Sequence, residues 1–67
     1  MGLSLYFSEQ DIISSLRQQF HRDEQYRIDF RYWLNTLRRT SDGFVVQVEN
    51  RKFLIHKHTG TVIKELI

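Results

Sequence analysis

Residues 43–66 read GFVVQVENRKFLIHKHTGTVIKEL, and the fold turns on how this stretch is read. Phe44, Val46 and Val48 alternate with Val45, Gln47 and Glu49, the period of two that marks a strand with one buried face. Phe53 and Ile55 alternate with Lys52, Leu54 and His56 in the same way. A turn at Asn50-Arg51 sets Val48 opposite Phe53 and Val46 opposite Ile55, so turn and apolar pattern agree on one register. Asn tolerates the left-handed conformation such a turn needs, although Arg51 is a poorer second residue than Gly. A second break falls at His58-Thr59-Gly60, where Gly60 can hold the left-handed position that closes a three-residue loop. Residues 61–66 then return as a third strand, with Ile63 opposite Ile55. A three-stranded meander with one apolar face needs a cover from the rest of the chain.

The cover lies upstream. Ser8-Glu9-Gln10-Asp11 has the spacing of a capping box, and Glu9 and Asp11 suit the positive end of a helix. Phe7 and Ile12 have the spacing of a hydrophobic staple. Ile12, Ile13, Leu16 and Phe20 form one apolar helical face, which predicts a helix from Glu9 to about His21 packed on the sheet. Residues 1–7 read as a short edge strand or as a lead-in to that helix. His21 to Gln25 is polar and connects to the next element.

Residues 26–39 admit two readings. Tyr26, Ile28, Phe30, Tyr32 and Leu34 alternate with Arg27, Asp29, Arg31 and Trp33, as in a long strand. Tyr26, Phe30, Trp33, Leu34 and Leu37 also line one face of a helix, with Arg27, Arg31 and Arg38 on its flank. The strand reading keeps Ile28 and Tyr32 inside and is slightly preferred. The helical reading accounts for Leu37 and places Asp23 and Glu24 at a helix start. Thr40-Ser41-Asp42-Gly43 is a turn in both. The expected fold is α+β: one N-terminal helix on an antiparallel meander of three to four strands, or two helices followed by a three-stranded meander.

The 67 residues are enough for one domain, 1–67, with a thin core, and the 40% hydrophobic and 13% aromatic content suits a folded chain. With no cysteine, disulfides and thiolate metal sites are excluded. The sequence shows neither a membrane-spanning run nor a signal-peptide pattern, so the expected setting is the cytoplasm. A core this small leaves room for a homodimer. The net charge of +2 permits a nucleic-acid partner without requiring one.

The segment Lys57-His58-Thr59-Gly60-Thr61-Val62, together with the order helix then meander, resembles the PepSY-type and cystatin-like small domains and some bacterial toxin-immunity domains. Their turn is typically Asp-x-Thr-Gly-x-Val, and here the usual acid is replaced, Lys57-His58 preceding Thr59-Gly60. PepSY domains mostly lie outside the membrane, and an export signal is missing here. The resemblance covers the second half of the chain and implies a binding or inhibitory module.

No catalytic constellation stands out. Ser14 and Ser15 lack a strained elbow and a base-orienting acid, so the chain is expected not to be an enzyme and to carry no cofactor. His56 and His58 have a spacing that suits two metal ligands, with only His21 or Glu65 as a third, and no metal site is assigned. The candidate binding residues are Arg27, Arg31, Tyr32, Trp33, Arg38 and Arg39. Arginine interleaved with aromatics suits an acidic protein surface, where Arg, Trp and Tyr dominate binding hot spots, and it also suits phosphate contact with base stacking. Asp29 between the arginines favours the protein. The function expected is a small non-enzymatic protein-binding module, a bacterial or phage accessory or inhibitor protein. The alternative is a small basic nucleic-acid-binding protein using residues 26–39.

Overall fold

The computed structural model describes residues 7–67; the reading of the chain's start as strand or lead-in therefore lies outside the described residues, except for Phe7. The fold is α+β. Helix α1 (Glu9–Arg17), α2 (Arg22–Arg27) and α3 (Phe30–Trp33) are followed by a 3-10 turn at Leu34–Thr36. Strands β1 (Arg38–Thr40), β2 (Gly43–Val48), β3 (Arg51–Ile55) and β4 (Val62–Leu66) then form one antiparallel sheet in the order β1-β2-β3-β4.

The capping box forms at the start of α1. The Asp11 amide donates to Ser8 Oγ at 3.3 Å, and the Ser8 amide donates to Asp11 Oδ2 at 2.9 Å. The helix ends at Arg17, a turn earlier than the apolar pattern predicts. Phe20 is buried all the same, because the bend that follows the helix carries its ring onto Phe30 and Phe53, with centroids 5.4 and 5.8 Å away.

Residues 26–34 are not a strand. The two tyrosines that the alternation places inside are exposed, Tyr26 at 86% and Tyr32 at 60%. The helical reading also needs amending, since the segment is two short helices separated at Ile28-Asp29. Ile28 adopts extended backbone (φ −86°, ψ 131°), and Asp29 caps the next helix by accepting from the Tyr32 amide at 3.2 Å. Ile28 and Phe30 enter the core from either side of this break. The fourth strand comes from Arg38–Thr40 instead.

The core lies between the helices and one face of the sheet. Ile12, Ile13 and Leu16 of α1, with Phe7, Phe20, Ile28 and Phe30, pack on Phe44, Val46, Val48, Phe53 and Ile55. The register differs from the expected one by two residues: Val46 pairs with Phe53 and Val48 with Arg51. The two-residue loop is Glu49-Asn50, with Glu49 at φ 58°. A shift of two leaves every side chain on its expected face. Gly60 takes the left-handed conformation expected of it, φ 73°. A bulge at Leu54/Ile55 sets Val62, not Ile63, opposite Ile55, and Ile63 is 49% exposed.

Candidate functional site

The six arginine and aromatic candidates are divided among three elements. Arg27, at the end of α2, donates from Nη1 to Glu49 Oε2 at 3.1 Å and lies 3.8 Å from Glu24. Arg31, on α3, donates to Glu9 Oε1 at 2.9 Å. Each therefore holds a carboxylate from a distant part of the chain, in exposed pairs worth about 0–1 kcal/mol. Tyr32 stands edge-on to Trp33, centroids 5.3 Å apart, and Trp33 is half-buried against the core. Arg38 and Arg39 are exposed on β1 and point to opposite faces: Arg38 is across from Val45 on the outer face, Arg39 from Phe44 on the core side.

That outer face of the sheet is the second candidate surface. By register it carries Arg38, Val45, Gln47, Lys52, Leu54, Lys64 and Leu66 at its strand positions; Leu54 stands outside the core cluster but is only 9% exposed, and Val45 is half-buried. A groove of about 240 Å³ on it is lined by Arg38, Lys52, Val45, Gln47, Asn35 and Thr36. Ordinary small-molecule sites span about 300–1,000 Å³. Arg38, Lys52 and Lys64 form no ion pair among the described residues.

Arg51 has a role that its reading as a mediocre turn residue misses. Its guanidinium makes two parallel bonds to Glu65, Nε to Oε2 at 3.0 Å and Nη2 to Oε1 at 2.8 Å, while Nη1 donates to the Gln19 carbonyl at 3.1 Å. The same group lies 4.5 Å from the Phe20 ring centroid and 5.1 Å from that of Phe53. It fastens β3 to β4 and to the turn that follows α1. The hydrogen bond from Arg51 holds the Glu65 carboxyl below its ordinary value, against a smaller opposing effect of desolvation, and the same bond raises Arg51. The signal lay in the meander register, which sets Glu65 across from Phe53 and so beside Arg51.

His56 and His58 come together with ring centroids 5.8 Å apart, but the His58 amide donates to His56 Nδ1 at 3.1 Å. No group of three His, Cys, Asp or Glu able to hold a metal occurs among the described residues. Glu65, one loose third-ligand candidate, is engaged by Arg51. No helix among the described residues is long and apolar enough to cross a membrane.

Comparison of the chain with protein-family models finds no match, and neither does comparison with curated proteins or with solved structures.

Proposed function

We propose that this chain is a small non-enzymatic protein-binding module, acting in the cytoplasm as an accessory or inhibitor protein. The observation that carries this reading is that, among the described residues, the helices pack on one face of the sheet only. The other face is a hydrogen-bonded sheet surface of mixed aliphatic and basic side chains, the kind of surface a protein partner can cover. The resemblance of the closing strand-turn-strand to PepSY-type and immunity-type modules supports the same reading. Arg27 and Arg31 already hold carboxylates, which favours a protein partner over a phosphate backbone for the 26–39 segment.

The test is cross-linking of the purified chain in extract of its native host, followed by reconstitution with the purified partner. A single protein that co-elutes with the chain at physiological salt is the expected result. Retention of DNA or RNA instead, with affinity falling steeply as salt rises, would replace this reading with the nucleic-acid alternative.

A further inference from the structure

The outer face of the sheet is organised in rows. One row runs across the strands as Arg38, Val45, Leu54, Lys64: cation, aliphatic, aliphatic, cation. The adjacent row continues as Gln47, Lys52, Leu66. The chain has eight Asp and Glu residues, yet none occupies a strand position on this face. Elsewhere on the molecule Arg27, Arg31 and Arg51 each meet a glutamate. Three cations around an aliphatic centre, with their counter-charges placed elsewhere, make a surface complementary to negative charge with apolar side chains between.

We propose that this face docks an acidic, aliphatic-bearing segment of a partner protein, with a carboxylate seated in the groove between Arg38 and Lys52 and apolar side chains over the half-buried Val45 and Leu66. The proposal rests on the binding-module reading and adds to it the surface and the chemistry of the partner. Three observations select this occupant. The face offers aliphatic side chains and no aromatic ring at its strand positions, whereas single-stranded nucleic acid is held by stacking on rings. A second copy of the chain docked about a two-fold axis would set this basic face against itself. The groove, at about 240 Å³, is smaller than ordinary small-molecule sites of about 300–1,000 Å³, and suits one carboxylate-bearing side chain better than a whole small-molecule ligand.

The test is a titration followed by amide NMR shifts, with a short synthetic peptide alternating glutamate and leucine as the probe. A lysine-leucine peptide and oligothymidylate serve as comparisons. The acidic peptide should move the amides of Val45, Gln47, Lys52 and Leu54 saturably, and its affinity should fall as salt is added. The double variant Arg38→Glu, Lys52→Glu should bind it about tenfold more weakly or worse, whereas Arg22→Glu, Lys57→Glu, with the same change in net charge, should lose less than about twofold. Should the first double variant not fold, Lys64→Glu alone carries the comparison. Shifts confined to α2 and α3 would overturn the surface assigned here and leave the module reading standing. Oligothymidylate acting on the outer face at lower concentration than the peptide would overturn both. Outer-face amides that broaden with protein concentration alone would make a second copy the occupant, and no response to the acidic peptide would also sink the proposal.

Discussion

Thr36 shows how much one hydroxyl can carry. Arg38 pairs with Val45 across β1 and β2, so in the same register residue 36 would face Gln47. The chain there is already in a 3-10 turn, and its backbone cannot extend the ladder. The Thr36 side chain takes that place. Its Oγ1 accepts from the Gln47 amide at 2.8 Å and lies 2.7 Å from the Trp33 carbonyl, to which its proton can be donated. Thr36→Val keeps the shape and strands the Gln47 amide, so we expect a loss of about 1–3 kcal/mol, read from urea midpoints; an unchanged midpoint would show that water replaces the hydroxyl. Gly60 is constrained twice. Its φ is 73°, and an added Cβ would lie 2.6 Å from the Phe7 ring. Gly60→Ala should therefore cost about 1–3 kcal/mol from backbone strain alone, with the Phe7 clash added. A variant as stable as the parent would mean that both the loop and Phe7 shift freely.

At the scale of elements, the β3-β4 pair depends on its Arg51–Glu65 fork. Glu65 has a folded-state pKa depressed below its ordinary 4.5. A depressed carboxylate stabilises the fold above its unfolded value, and that contribution is lost as pH falls through the lower folded value. The stability gap between the parent and Glu65→Gln should accordingly be widest near neutral pH and narrow below 4.5. A gap that stays constant through acidification would show that the fork contributes through packing and not through charge. Arg51 is also why this turn is a poor place for a neutral charge reversal: Arg51→Glu would remove two carboxylate bonds, a bond to the Gln19 carbonyl and the contacts with Phe20 and Phe53 together.

The same scale explains the broken segment at 26–39. Its alternation of Tyr26, Ile28, Phe30 and Tyr32 is a good strand pattern on paper, because tyrosine counts as apolar when periods are matched. A tyrosine also tolerates solvent through its hydroxyl, and two of the four use that freedom. What the tertiary structure requires is Phe30 against Phe20 and under Arg17, whose guanidinium lies 5.6 Å from its ring centroid. Two short helices with an Asp29 cap between them meet that need.

For the whole molecule, stability comes from one thin layer of apolar side chains between helix and sheet. Leu16 is fully buried in that layer, and Leu16→Ala should destabilise by about 2–5 kcal/mol through lost contacts and a residual cavity. A small domain has little stability to spare, so failure to fold at all fits the same account, whereas an unchanged unfolding midpoint would contradict the helix-on-sheet core. The basic outer face contributes little to this layer, and the charge variants there should leave the fold intact.

The sequence by itself determined the α1 cap, the alternation of β2 and β3, the left-handed Gly60 and the side of the sheet that is buried. All of these depend on neighbours within a few residues, so local periodicity and backbone preference are enough to show them. It also marked Arg38 as a candidate binding residue. Only the tertiary structure decided the register, the break at Ile28-Asp29, the pairing of Arg27 and Arg31 with distant glutamates and the gathering of Arg38, Lys52 and Lys64 on one face of the sheet. Those outcomes depend on which strands meet and at what offset, and a shift of two residues leaves the hydrophobic pattern unchanged while it changes every cross-strand partner.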